Sequence, residues 1–447
     1  MSDDETVLSR RTLLARSGAG LAGGALLLAG ARAGAQTVPV PGAHGPGPNR
    51  NYNPVIVPNG SKLPYKLVDG VKVFHLVAEE VDHEMAPGLK IKAWGYNGRV
   101  HGPTIEAVEE DRVRIYVTNR LPATTTVHWH GILLPNGMDG VGGLNQKGIE
   151  PGETFKYEFT LHQHGTAMYH SHHDEMTQIG MGMTGLFVIH PRKPRGPAVD
   201  RDFAILLHEW RIDVGTMRPN PNEMVEFNML TMNAKAFPGT EPLVARKGDR
   251  VRIRIGNLGP MDHHPIHLHG YRFLTTETDG GPIPQAAQWP ETTVLVPVGS
   301  TRTIEFVADE PGDWAMHCHM THHVMNQMGH FLPNMIGVDP GNLDKKVKKL
   351  LPGYMTMGQN GMAGMGDMKM PPNSVPMLGG VGKHDEITMG GMFTVLKVRE
   401  NLKSYADPGW YENPNGTLAS AASDAQLRKD GINPETPGRA NPGDGRS

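Results

Sequence analysis

A single cysteine, Cys318, occurs in the 447 residues, and it stands between His317 and His319 with His323 and Met328 following at intervals of five. Without a second cysteine it cannot close a disulfide within the chain, so its chemistry is that of a thiol or thiolate. A thiolate, two imidazoles and a thioether are the donors that suit a trigonal His₂Cys copper centre with a weak axial sulfur. The preceding Asp313-Trp314-Ala315-Met316 reads as a strand. Side chains alternate along a strand, so His317 and His319 share one face and Cys318 takes the other. Adjacent residues are therefore expected to serve two different metal groups.

Histidines supply the second group. Four His-x-His pairs occur, at 128/130, 170/172, 267/269 and 317/319. One such pair is most simply a pair of surface histidines. Four, placed twice in the same order, are not. Asp111-Arg112-Val113-Arg114-Ile115-Tyr116-Val117-Thr118-Asn119 recurs as Asp249-Arg250-Val251-Arg252-Ile253-Arg254-Ile255-Gly256-Asn257, and each copy carries two of the pairs downstream. A period of roughly 140 residues is too long for a solenoid and matches two homologous domains. Registering the copies sets Thr125 against His264, Ser171 against Cys318, Met176 against His323 and Met181 against Met328. Three of the four donors are missing from the first copy, which is expected to hold no blue copper.

His128-Trp129-His130-Gly131, His170-Ser171-His172, His264-Pro265-Ile266-His267-Leu268-His269 and His317-Cys318-His319 with His323 and Met328 resemble the four copper motifs of multicopper oxidases, over roughly residues 65–340. The resemblance implies one type 1 copper on His264, Cys318 and His323 with Met328 axial. It implies type 2 copper on His128 and His267, and a type 3 pair on His130, His170, His172, His269, His317 and His319, so four coppers per functional unit. The interval between His172 and His264 leaves no room for a middle domain, which points to the two-domain, small-laccase-like group. That group implies a homotrimer in which each trinuclear cluster is shared between neighbouring chains. The reaction implied couples four one-electron oxidations of a reducing substrate (a phenol, an aromatic amine or Cu(I)) to reduction of O₂ to water, with Cys318 as the electron conduit. Asp139, in Gly137-Met138-Asp139-Gly140, matches the family's acid near type 2 copper; without the resemblance it is a turn aspartate beside glycine. The acid that often follows the type 1 histidine is Val324 here. His173, His263 and His322 are expected to be neighbours of ligands rather than ligands.

Two other readings compete. A copper nitrite reductase keeps its blue site in the first domain, where this chain has Ser171. A non-enzymatic copper-binding protein would use the same histidines together with Met355, Met357, Met362, Met365, Met368, Met370 and Met377, without consuming O₂. The Gly/Met-rich stretch itself reads either as a collector of Cu(I), since thioethers are soft donors, or as a flexible low-complexity loop.

The elements that must hold these residues are strands. Glycine (56) and proline (37) are abundant and aromatics scarce, and short alternating segments such as Val71–Val77, Leu89–Trp94 and Arg112–Val117 are bounded by turn residues. This predicts an all-β chain of two tandem cupredoxin-like Greek-key β-sandwiches with a Met-rich C-terminal extension. The expected division is a twin-arginine signal peptide over 1–35, with Arg10-Arg11 and Ala33-Gly34-Ala35, then an extended arm over 36–63. The first domain is 64–191, a linker 192–199, the second domain 200–340, and 341–447 an extension with a short helix, one strand and a mobile tail. Export to the periplasm, or otherwise out of the cytoplasm, follows from the signal, with no membrane anchor after its cleavage. A net charge of −3 with scattered Lys and Arg gives no nucleic-acid partner.

Overall fold

The computed structural model of the chain describes residues 52–194, 196–213, 215–225, 227–324, 343–352 and 380–434. Two alternating stretches set its pattern. In Arg112–Asn119 the residues Val113, Ile115 and Val117 are buried while Arg112, Arg114 and Tyr116 are not, and Val251, Ile253 and Ile255 repeat the pattern in Arg250–Asn257. β-Branched side chains at alternate positions suit a pleated, half-buried strand. Each stretch lies inside the first sheet of its sandwich. Arg112–Asn119 runs parallel to Val71–Ala86 and antiparallel to Thr154–Thr160. Arg250–Asn257 runs parallel to Arg201–Trp210 and antiparallel to Ser300–Val307.

The second sheets match as closely. In the first sandwich Ile105–Val108 lies parallel to Thr184–His190, which pairs antiparallel with Gly165–His170. In the second, Leu243–Arg246 lies parallel to Phe393–Arg399, which pairs antiparallel with Gly312–Cys318. That strand in turn pairs with His264–Leu268, and His264–Leu268 with Thr293–Val296. Each pair of sheets closes over its own apolar core, one built around Ile115, Trp129 and Phe187, the other around Ile253, Leu268 and Ile304. The chain is thus all-β, two tandem cupredoxin-like sandwiches.

One boundary moves. Phe393–Arg399 is the counterpart of Thr184–His190, so it is the closing strand of the second sandwich, which runs to Arg399 rather than to 340. In the first domain the equivalent strand follows after a short helical turn, Glu175–Gly180. In the second, a long stretch intervenes in sequence and hides the equivalence. Of that stretch the helix Leu343–Leu350 is described, whereas the Met-rich segment 355–377 lies outside the described residues, as does the signal region 1–35.

The polar tail is also more tied down than its composition suggests. Lys397 pairs with Asp407 at 2.6 Å, Arg399 with Asp313 at 2.6 Å, and the Tyr411 amide donates to Asp313 at 2.7 Å. The Arg201 guanidinium lies 3.8 Å from the Tyr405 ring centroid. Such anchors are ionic and aromatic, so hydropathy does not reveal them.

Arg254 is the exception to the alternating pattern. It belongs to the outward set yet is fully buried, because that face of the second sandwich packs against Gly165–His170 of the first. Its guanidinium pairs with Asp202 and Glu277 and donates to Thr166 across the interface at 3.0 Å. A buried guanidinium is tolerated only when its donors are met in this way.

Candidate copper centres

Alternation places the first donors. Within the ligand strand, Cys318 is fully buried among the apolar residues of the second core, and neighbouring His317 belongs to the opposite face. The Cys318 Sγ lies 3.8 Å from His264 Nδ1 and 3.4 Å from His323 Nδ1, and those two nitrogens are 3.2 Å apart. Three donors of this type in a near-equilateral triangle fit one copper ion. Burial pushes the Cys318 thiol up to about 12 and holds His323 down at about 4, so the imidazole is neutral at physiological pH, and a copper ion bound here would displace the thiol's proton to solvent. His322 is exposed and stays outside the triangle.

Behind this triangle lies a second set of side chains. Glu209, from the strand Arg201–Trp210, accepts the His264 Nε2 proton at 3.2 Å and, on its other oxygen, the Met261 and Asp262 amides at 2.6 and 2.8 Å. Asp262 Oδ2 lies 3.5 Å from His323 Nε2. With the outer nitrogens occupied, both rings present Nδ1 to the centre, which is how outer partners fix the orientation of metal-bound histidines.

The eight remaining histidines form two quartets of the same design. His128 and His170 are hydrogen-bonded to each other through the backbone, as a bridged pair, and His267 and His317 are likewise opposed. In the first quartet His128 Nδ1 donates to the Asp139 carbonyl and His170 Nδ1 to the Ser171 carbonyl, both at 2.8 Å. In the second, His267 Nδ1 donates to the Thr292 carbonyl at 2.7 Å and His317 Nδ1 to the Cys318 carbonyl at 2.8 Å. The His130 and His170 ring nitrogens approach to 3.3 Å, and those of His269 and His317 to 3.1 Å. Two nitrogens that share an ion at about 2 Å and a tetrahedral angle lie roughly 3.3 Å apart. Trp129, between His128 and His130, points the other way into the core against Tyr157 and Phe159. Losing so large a buried ring costs about 3–5 kcal/mol, so the core anchors the two imidazoles.

Among the described residues no hydrogen bond or ring contact joins one quartet to the other; His128, His130, His170 and His172 touch each other, and His267, His269, His317 and His319 touch each other. The first quartet opens instead into a cavity of about 520 Å³ whose far wall is Leu258, Gly259, Pro260, Val298 and Gly299.

Asp139 stands where its carbonyl anchors His128, with its carboxylate Oδ1 3.4 Å from the same nitrogen. Sequence reasoning missed Glu175, whose oxygens lie 3.6 Å from His170 and 3.7 Å from His172 in the cavity wall. It also missed Glu209 and Asp262. Asp262 could have been noticed two residues before His264, but Glu209 has no local signal, since only the fold brings it there. Met328 lies outside the described residues.

The first domain's counterpart of the triangle is filled, and the register within it differs from the sequence expectation. Thr125 and Ser171 hydroxyls both donate to Gln178 Oε1, at 2.7 and 2.6 Å, and Gln178 Nε2 donates to the Thr124 carbonyl at 2.8 Å. Gln178, not Met176, therefore occupies the place of His323, and Met176 is exposed. The helix Glu175–Gly180 lengthens this turn by two residues relative to the second domain and shifts the pairing. No thiolate or imidazole remains at this position.

Residues 78–194 and 213–335 each match the multicopper oxidase family. Copper resistance protein A of Pseudomonas syringae pv. tomato is 42% identical over 241 residues, covering 43% of this chain and 39% of that protein. Copper resistance protein A of Escherichia coli is 30% identical over 241 residues, covering 43% of this chain and 40% of that protein. The chain thus spans about two fifths of the length of these curated relatives. Among solved structures, the multicopper oxidase mgLAC superposes with a TM-score of 0.55 at 27% identity, over 76% of this chain and 91% of its own. A blue copper oxidase from Nitrosomonas europaea gives 0.55 at 26% identity, with the same coverage. Both sandwiches carry the family's match, and the chain belongs to the multicopper oxidase family.

Proposed function

We propose that the protein oxidises a small reductant at a type 1 centre on His264, Cys318 and His323 and reduces O₂ to water at trinuclear clusters built between chains. Bound copper supplies the one-electron relay and the four-electron reduction of O₂. The protein holds the donors, and Cys318 is peptide-bonded to His317 and His319, so the two kinds of centre are joined by the shortest covalent path the chain offers. His128 and His267 are assigned to type 2 copper and His130, His170, His172, His269, His317 and His319 to the type 3 pair. Asp139, beside His128, is assigned as proton donor at its Oδ1.

The observation that carries this reading is the separation of two matched quartets within one chain. Four imidazoles leave a trinuclear site half made, and the first quartet faces its own chain's 258–260 and 298–299 segments rather than the second quartet. A neighbouring chain completes it, and head-to-tail contacts of this kind close naturally into a C₃ ring of the two-domain type, with three shared clusters. A monomer with full copper and full oxidase activity would sink this.

For the donor, two observations favour Cu(I) over phenols. Met261 and Met320, beside Asp262 and His323, are exposed soft donors, and two of the relatives are named copper resistance proteins. Export by the twin-arginine signal would place the enzyme where copper enters the cell. The deciding experiment is oxygen uptake by the copper-loaded mature protein with Cu(I) and a phenol side by side. Copper binding without O₂ consumption from either donor would leave only a sequestering role. Deletion of 355–377 should lower turnover with Cu(I) while sparing the phenol; equal loss of both would count against a Cu(I)-gathering role for that segment.

A further inference from the structure

We propose that Met392, not Met328, supplies the axial thioether of the type 1 centre. The assignment rests on the reading that His264, Cys318 and His323 hold that copper. The ladder between Gly312–Cys318 and Phe393–Arg399 pairs His317 with Phe393. One residue beyond that last rung, in the bend before the strand, Met392 accepts the Cys318 amide on its carbonyl at 3.1 Å, which carries the register on by one residue. Residues directly opposed in an antiparallel pair send their side chains to the same face, with Cβ atoms about 5 Å apart. Met392 therefore shares the face of the thiolate. Its own amide donates to the His323 carbonyl at 3.0 Å, so its backbone is held between two of the three donors. It is fully buried and belongs to the same apolar cluster as Cys318.

The first domain supplies the control. There His170 pairs with Thr184, the Ser171 amide donates to the Met183 carbonyl at 3.2 Å, and the Met183 amide donates to the Gln178 carbonyl at 3.0 Å. The two backbone bonds are the same, residue for residue. Met183 too is fully buried. The repeat exchanges histidine, cysteine and histidine for Thr125, Ser171 and Gln178, while methionine stands at the fourth place in both copies.

Spacing selects Met328 only if the loop from His323 to the closing strand is short. Here that loop is interrupted. The Gly390 amide donates to the Val324 carbonyl at 2.6 Å. Gly391, at φ +55°, packs so closely that an added Cβ would fall 2.5 Å from the His323 carbonyl oxygen. The chain that leaves the site at the end of the 3-10 turn Thr321–Val324 and the chain that returns at Gly390 are thus joined at the base, and the residues between them in sequence are an insertion in the ligand loop. Among the described residues of the ligand strand, Met316 is also a buried methionine on the thiolate's face, but it lies two residues along the strand, about 6.6 Å deeper in the core.

The test compares Met392→Leu, Met392→Gln and Met328→Leu in the copper-loaded full chain, reading the type 1 reduction potential and the visible and paramagnetic-resonance spectra. Loss of a thioether removes donation that favours the oxidised ion. Met392→Leu should therefore raise the potential, and Met392→Gln, with a harder oxygen donor, should lower it and alter the copper hyperfine splitting. A rise in Met328→Leu, or an unchanged potential and spectrum in Met392→Leu, would overturn the assignment. If Met392→Leu does not fold, Met392→Gln decides alone, and a wild-type spectrum there overturns it equally. A wild-type protein that binds copper without a blue chromophore sinks the type 1 reading and this assignment together. A blue protein indifferent to Met392 sinks only the assignment.

Discussion

Glu209 supports His264 from within the core: its carboxylate accepts a hydrogen bond from the ring's Nε2–H at 3.2 Å, and both side chains are withdrawn completely from solvent. No substrate can reach this carboxylate, so its influence acts on the ligand. Burial alone would push its carboxyl up, but the His264 hydrogen bond and the backbone amide beside it more than offset that, and it stays ionised below the usual range. Gly259 packs against it so tightly that a Cβ would lie 1.8 Å from Oε2. The same short segment, Leu258–Pro260, also walls the first quartet's cavity.

An anion bonded to a metal-bound imidazole raises its donor strength and favours the oxidised ion. Glu209→Gln keeps the shape and an acceptor oxygen but removes the charge. Its type 1 potential should rise, and copper affinity at this site should fall roughly 10- to 100-fold, the usual cost of losing an outer-sphere partner. Redox titration and competition with a chelator measure the two. An unaltered potential together with lower thermal stability of the copper-free protein would reduce Glu209 to a packing role.

Sharing of clusters between chains has a consequence that a cluster within one chain does not. A variant lacking the first quartet (His128→Ala with His130→Ala) and one lacking the second (His267→Ala with His269→Ala) should each be inactive. Unfolded together, refolded and loaded with copper, they should regain activity, because an intact first quartet on one chain can meet an intact second quartet on its neighbour. In random trimers about one cluster in four is whole. No recovery above the separate variants would place the cluster within a single chain.

The Thr125–Ser171–Gln178 network predicts stability rather than chemistry. Replacing Gln178 with Leu leaves two buried hydroxyls and the Thr124 carbonyl without their partner. A loss of about 1–3 kcal/mol is expected, read from denaturant unfolding, with the blue absorbance of the second domain retained. A neutral result would mean that water replaces the amide.

Much of the centre was legible because its donors are short-range patterns. His-x-His on an extended strand puts two imidazoles on one face, and the repeat locates each pair. Ser171 opposite Cys318 follows from the same repeat and holds in the hydrogen-bonded geometry. What sequence could not show lies where contacts cross long separations or where loop lengths differ. Glu209 reaches His264 from another strand of the fold, with no periodicity to betray it. Gln178 was displaced in register by a helical turn, and the closing strand Phe393–Arg399 by an insertion. Arg254 broke the alternating pattern because the face it shares is covered by the other domain, and a single strand's pattern records only whether a face is covered in most proteins, not in this one.

His208 gives the last prediction. It is fully buried beside Trp210, with ring centroids 4.2 Å apart, and neither of its ring nitrogens makes a full hydrogen bond, although the Leu258 backbone approaches. Burial holds its pKa down at about 4 against an ordinary 6.5. Above pH 6.5 both folded and unfolded chains carry it neutral, and it makes no pH-dependent contribution. As pH falls from 6.5 towards 4 the unfolded chain takes up a proton that the folded chain refuses, so stability is lost across that window and levels off below it. At about 1.4 kcal/mol per pH unit the loss reaches roughly 3 kcal/mol. His208→Leu, similar in volume, cannot take up that proton in either state. The copper-free variant should therefore lose about 2 kcal/mol less than the wild type on going from pH 7 to pH 5, as measured by the shift in denaturant midpoint. Equal acid sensitivity in the two proteins would show that His208 is protonated within the fold by a route the static packing does not reveal.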